Sequence, residues 1–188
     1  CPTYACEIKE PYFAYGLADI IRENDYKLSG IINGIDTKVF SPAEDNDIAF
    51  PFLLSQRAEG KRENKLALQR EIGLAENPDV PLVAMVTRLT HGKGIDLVLR
   101  IFDEMMTSDI QFVLLGTGDS NYDRIFSDLC ARYPDRAKAL IRFDRALSKR
   151  IYAAASMFLM PSKSEPCGLA QMIACSYGAI PVVRSVGG

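Results

Sequence analysis

The sequence predicts an α/β protein built on a doubly wound parallel sheet, and three observations carry that expectation. From residue 81 onward, short apolar runs alternate with stretches whose apolar residues recur at helical spacing. The alternation repeats several times at the rhythm of strand–helix units, which places parallel strands side by side with helices over both faces. The strand-like runs are largely apolar along their length, as strands buried on both sides require.

The elements follow in chain order. Residues 1–40 are rich in aromatics (Tyr4, Tyr12, Phe13, Tyr15, Tyr26, Phe40) yet hold no βαβ unit, so they read as the tail of a preceding domain and a crossover from it. Residues 41–62 are polar, proline-bearing and weakly periodic, which suits a linker or surface loop. The sheet domain then occupies 63–188. "NKLALQREIGL" (64–74) places Leu66, Leu68, Ile72 and Leu74 on a helix that ends at a glycine-containing break. "PLVAMVT" (81–87) is a buried strand, followed by a helical stripe of Leu97, Val98, Ile101, Phe102 and Met105. "IQFVLLG" (110–116) is the next strand, and Tyr122, Ile125, Phe126, Leu129, Cys130 and Tyr133 form the next helical face. "ALIRF" (139–143), "MFLM" (157–160) and "IPVVR" (180–184) supply three further strands, with short helices near 147–155 and 168–177 between them.

Composition narrows the function classes. With 48% hydrophobic and 24% charged residues, the chain has the make-up of a soluble globular protein with a real core. A formal charge of −2 and no run of Lys or Arg argue against a nucleic-acid partner. No apolar segment approaches the roughly 20 residues of a membrane-spanning helix. The chain opens "CPTYACEIKE", without a signal peptide or an initiator methionine, so it is expected to lie within a longer chain. The five cysteines include no C-x-x-C pair and there is a single histidine, His91, which fits reduced thiols in the cytosol better than a zinc site or a disulfide framework.

In doubly wound sheets ligands bind beyond the carboxyl ends of the strands, and three loops at that edge are unusual. "TRLTHGKGID" presents Arg88 and Lys93 beside a glycine turn; two such cations can hold a diphosphate, or can simply be solvated. It is not a Walker A loop, because Gly-Lys is followed by glycine. "GTGDSN" gives Gly116, Thr117 and Gly118 a tight turn that lets a ligand reach the backbone, but Asn121 stands where a dinucleotide fingerprint needs glycine. In "MPSKSEPCGLAQ", Gly168, Leu169 and Ala170 open a helix whose unpaired N–H groups favour an anion. Glu165 would be repelled by that anion, so it either accepts hydrogen bonds from neutral hydroxyls or caps the helix. "DND" (45–47) matches a metal-binding pattern but reads better as a solvated acidic loop, and His91 as a surface residue. Without a partner histidine, Cys167 makes a poor nucleophile.

These residues together resemble bacterial glycogen synthases and plant starch synthases, the retaining glucosyltransferases that build α-1,4-glucan on a GT-B fold. "CPTYA" from Cys1, "YGLADIIRENDYKLSGIINGID" (15–36), "RENKLALQREIGL" (62–74), "TRLTHGKGIDLV" (87–98), "LLGTGD" (114–119) and "RIYAAASMFLMPSKSEPCGLAQMIACSYGAIPVVRSVGG" (150–188) follow in family order, so the likeness covers nearly the whole chain. It implies a Rossmann-like C-terminal half of a GT-B enzyme that binds ADP- or UDP-glucose without a cofactor or a metal. The enzyme would reside in the cytoplasm, or in a plastid if the source is a plant. Arg88 and Lys93 would neutralise the donor diphosphate, the start of the helix at 168–170 would take a phosphate, and Glu165 would hold the glucose hydroxyls. Cys167 would pack near the sugar, and Gly187 and Gly188 would belong to a glycine loop facing the phosphates. Phe143 matches a family tyrosine near the base, but Arg142 stands where the family usually has glycine, so a core aromatic at a strand end stays an equal alternative. Ile173 occupies the place where related retaining transferases carry a second glutamate. The glucan acceptor groove belongs to the missing preceding domain, so the chain alone is expected to turn over little and to self-associate. A pyridoxal-phosphate-dependent glucan phosphorylase and a non-catalytic nucleotide-sugar sensor are the competing readings; the first lacks a placeable Schiff-base lysine motif.

Overall fold

The computed structural model describes residues 1–187. Three short helices open it, α1 (Pro2–Glu7), α2 (Pro11–Ala14) and α3 (Ala18–Glu23), and an irregular stretch leads to a long helix, α4 (Arg57–Ile72). From there strands and helices alternate: β1 (Leu82–Val86), α5 (Ile95–Met105), β2 (Gln111–Gly116), α6 (Ser120–Ala131), β3 (Ala137–Ile141), α7 (Arg145–Ala154), β4 (Met157–Met160), α8 (Leu169–Ser176) and β5 (Ile180–Val183). All five strands are parallel, in the order β3-β2-β1-β4-β5.

Side-chain alternation along β1 divides the interior in two. Leu82 and Ala84 face one core with Leu68 of α4, Leu147 and Ile151 of α7, and Tyr177 just past α8. Val83 and Met85 face the other, with Val98 and Phe102 of α5 and Phe126 of α6. Phe102 meets Phe112 of β2 edge-on, with ring centroids 5.3 Å apart. Burying a side chain of this size contributes about 1.5–3 kcal/mol, so both faces of β1 are held strongly.

The strand order fixes where a ligand can sit. β1 lies between β2 and β4, so the connections leaving β1 and β3 run to opposite sides, and the crevice beyond the carboxyl ends of β1 and β4 is the topological switch point.

Two elements differ from the sequence reading. The helix expected over 64–74 begins at Arg57, because "RAEGKRE" carries helix propensity without apolar periodicity. The strand expected over 139–143 runs over Ala137–Ile141, in register with β2 so that Gly116 pairs with Ile141. Arg142 and Phe143 therefore fall past the end of the sheet, and the apolar look of "ALIRF" includes a residue that is not in the strand.

The irregular stretch before α4 is also pinned. Asp45 is buried, accepts the Tyr177 hydroxyl, and lies 3.0 Å from the Lys149 ammonium, which is also 2.9 Å from Asp47. The solvated acidic loop expected at 45–47 is thus overturned for Asp45, whose sequence context gives no sign of a partner about a hundred residues away. Burial pushes its pKa up, but hydrogen bonds from Tyr177, the Asp47 amide and Lys149 outweigh this and hold the carboxylate below its ordinary value.

Candidate active site

The three loops singled out in the sequence leave β1, β2 and β4 at the same edge and are fastened together by backbone hydrogen bonds. Leu89 N–H donates to Thr117 O (3.1 Å), Asp119 N–H to Leu89 O (2.9 Å), and Lys163 N–H to Gly92 O (2.9 Å). Two glycines permit this closeness. A Cβ on Gly116 would sit 1.8 Å from Thr87 O, and one on Gly94, whose φ is 70°, would sit 2.0 Å from Pro161 O. The "GTG" glycines thus answer to the neighbouring loop, a packing demand the sequence alone does not reveal.

Arg88, Lys93, Glu165, Cys167, Gly168, Leu169 and Ala170 line one hollow of ≈ 380 Å³. Arg88, Gly116, Thr117, Arg142 and Phe143 line an adjoining one of ≈ 300 Å³, so Arg88 is common to both. Phe143 is 88% exposed on the rim, which removes the core-aromatic alternative. Gly118 lines neither hollow, and its amide donates to Asp123 (3.2 Å). Gly187 stands behind the first hollow: a Cβ there would lie 2.5 Å from Glu165 O, and its amide donates to Glu7 (2.9 Å). Gly188 lies outside the described residues.

Lys93 is not the unengaged cation that the sequence suggests. Its ammonium is 2.6 Å from Glu165 Oε2, which also accepts the Ser162 hydroxyl at 2.9 Å, while Glu165 Oε1 accepts the Gly168 amide at 3.2 Å. Glu165 is 8% exposed, and burial alone would raise its pKa. The hydrogen bond and charge of Lys93, with the bonds from Ser162 and Gly168, outweigh burial and keep it an anion. The capping alternative for Glu165 is not realised, because the amide it accepts belongs to Gly168, the residue before the helix, and the first turn of the helix has no side-chain cap. Ser162, three residues before Glu165 in the same loop, escaped the sequence reading because nothing in its spacing marks it. Arg88 is exposed and has no ion pair among the described residues.

Helix starts differ around the sheet. α6 and α7 are capped by the side chains of Asp119 and Asp144. α8 begins at Gly168, with φ 76° and no side-chain cap, so its first N–H groups, at Leu169 and Ala170, two residues that line the hollow, have no carbonyl of their own helix to bond. His91 is exposed, and its Nε2 lies 3.0 Å from Lys163 Nζ, which also reaches Asp96 at 2.7 Å. Among the described residues no group of three His, Cys, Asp or Glu side chains could hold a metal ion, and no helix is long and apolar enough to cross a membrane.

A cation, a paired carboxylate, bare helix amides and an exposed ring thus meet at the switch point of a parallel sheet. The chain belongs to the glycosyl transferases of group 1: the model of that family matches residues 69–188, which hold the whole sheet and its loops. More particularly, it is 50% identical over 186 residues to the glycogen synthase of Clostridium perfringens (strain 13 / Type A), covering 99% of this chain and 38% of that protein. The glycogen synthase of Bacillus cereus (strain Q1) is 47% identical over 187 residues, 100% of this chain and 39% of that one. Among solved structures, the catalytic domain of starch synthase IV from Arabidopsis thaliana, bound to ADP and acarbose, matches with a TM-score of 0.92 and 39% identity, over 100% of this chain and 38% of that one. The resemblance drawn from the motifs thus holds along the chain, and the fold is the Rossmann-like C-terminal half of a GT-B glycosyltransferase. The chain spans well under half the length of these relatives.

Proposed function

We propose that this chain is the donor-binding part of a retaining glucosyltransferase that moves glucose from ADP- or UDP-glucose to the non-reducing end of an α-1,4-glucan. One observation carries the reading: Arg88, the Lys93–Glu165 pair and the uncapped start of α8 share one hollow, and Arg88 also borders the hollow beneath Phe143. A diphosphate across Arg88 would direct the base towards Phe143 and the sugar towards Glu165. The starch synthase IV neighbour, solved with ADP, supports a nucleoside diphosphate as the ligand.

The chemistry follows from the donor and acceptor inventory. Lys93 has three N–H donors and uses one on Glu165, so it can hold the carboxylate and a phosphate oxygen together. Glu165 offers about four acceptor positions and three are taken, which leaves one for a hydroxyl of the donor glucose. The α8 amides and Arg88 would stabilise the negative charge that grows on the departing nucleoside diphosphate, with no metal or further cofactor needed. Cys167 would border the sugar. Gly187 would keep the Glu165 backbone close. The acceptor groove would be completed by a preceding domain of the longer protein, which would act in the cytoplasm, or in a plastid if the source is a plant.

Calorimetric titration with ADP and with UDP tests the reading and selects the nucleotide. Saturable binding of one, weakened at least tenfold in Arg88→Ala, is expected; no binding of either at millimolar concentration would refute it.

A further inference from the structure

The edge of the sheet opposite the donor hollow carries a recess of ≈ 600 Å³ at the starts of β1, β4 and β5. Pro78 and Asp79 precede β1, Ser156 precedes β4, Ile180 opens β5, and the first turns of α4 lie across them. Its charged lining residues are Arg57, Glu59, Lys61, Arg62 and Lys65 of α4, and Asp79. They give the recess a net charge of +2 in a chain whose formal charge is −2. Donor binding uses none of these residues. The recess falls within the usual range of small-molecule sites, about 300–1,000 Å³.

The six charges are unevenly matched. Arg62 is paired with Asp79 at 3.1 Å. Lys65 donates to Pro78 O and Val80 O, both at 2.9 Å, which leaves one of its three N–H groups. Lys61 directs its three at Tyr152 O (3.3 Å), Ala153 O (3.0 Å) and Tyr177 O (2.9 Å), at the ends of α7 and α8. Carbonyls satisfy those hydrogens but do not neutralise the charge, and no carboxylate forms an ion pair with Lys61 among the described residues. Burial, with the cations of Lys65 and Arg57 nearby, pushes its pKa down to about 7. The Arg57 guanidinium makes no hydrogen bond or ion pair among the described residues. Its stem lies against Gly178, where an added Cβ would come within 3.0 Å of Arg57 Cδ. Glu59 is exposed and likewise unpaired among the described residues, so it offsets only one of these cations.

This balance selects a phosphate dianion. Two negative charges match the net +2, and a guanidinium fork takes two phosphate oxygens at once. Arg57, Lys61 and Lys65 stand at i, i+4 and i+8, so their Cα atoms span about 12 Å along one face of α4, within reach of a common anion. We propose that this recess is a second ligand site, which binds a phosphate group, free or as a monoester, through Arg57 in the field of Lys61 and Lys65. Pro78 and Ile180, the latter 67% exposed, give the organic part of a monoester an apolar edge to rest on. The site goes beyond the function proposed above and does not rest on it.

The test is amide chemical shifts of this chain at neutral pH on titration with inorganic phosphate and, separately, phenyl phosphate, with ionic strength held constant by sodium chloride. Saturating changes are expected at Ala58, Glu59, Lys61 and Gly178. Binding should weaken about tenfold in Arg57→Ala and about threefold in Arg57→Lys, which keeps the charge and loses the fork. Glu59→Gln removes a competing charge and should tighten binding about two- to threefold. Tighter binding of phenyl phosphate would mark a monoester as the ligand, and equal or weaker binding free phosphate; either supports the site. Unmoved amides with both probes, changes matched by sodium chloride alone, or affinities unaltered in Arg57→Ala would overturn it. Leu169 and Ala170 report the donor edge in the same spectra, so failure of one site is not mistaken for failure of the other.

Discussion

Replacing Lys93 by methionine keeps most of the apolar stem of the side chain and removes the ammonium, with its charge and its N–H donors. Two unit charges 2.6 Å apart attract with roughly 6 kcal/mol at an effective dielectric of about 20, and desolvation of both groups offsets much of that. Leaving one member of a buried pair alone costs about 3–5 kcal/mol. Here the side chains are 19% and 10% exposed, and Glu165 keeps Ser162 and the Gly168 amide, so a loss of about 2–3 kcal/mol is expected. Glu165→Gln should cost less, because the amide retains shape and some hydrogen bonding. The double variant should be more stable than the sum of the two single losses, by about 1–2 kcal/mol of coupling. The assay is urea unfolding followed by far-ultraviolet circular dichroism. Strictly additive losses, or a Lys93→Met chain as stable as the parent, would refute the idea that this pair holds the site together.

Further outcomes follow from the same geometry. Phe143→Ala should weaken ADP or UDP binding by about 1–3 kcal/mol, as loss of a stacked base does, while the urea midpoint stays put because the ring is 88% exposed. Gly94→Ala meets both a positive φ and the Pro161 carbonyl and should cost more than about 2 kcal/mol, read in the same unfolding assay; a neutral result would mean the loops are not locked there. Asp45 and Glu165 both have lowered pKa values, so the stability they supply is complete above their ordinary values of 3.8 and 4.5 and is lost as pH falls through the lower folded values. Urea midpoints should therefore hold steady from neutral pH down to about 5 and drop below that, with a shallower drop in Asp45→Asn.

How far the sequence could be read depended on the range of the interaction. Strands buried on both faces announce themselves locally, and "MFLM" coincides with β4 residue for residue. Where an apolar residue sits just past a strand, as Phe143 does, local pattern extends the strand too far, because only the register with β2 shows where pairing ends. The loops of the site were legible from glycine, proline and charge at the switch point. What joins them was not: Lys93 meets Glu165 across 72 residues and Lys149 meets Asp45 across 104. The aromatics of residues 1–40 had no readable partner for the same reason.

That the loops after β1, β2 and β4 act as one sugar-nucleotide site is tested by amide chemical shifts on titration with ADP-glucose and with UDP-glucose. The largest changes are expected at Leu169, Ala170, Thr117 and the residues flanking Lys93, all saturating with one dissociation constant. Saturating changes confined to another face of the sheet domain, with these amides unmoved, would contradict it.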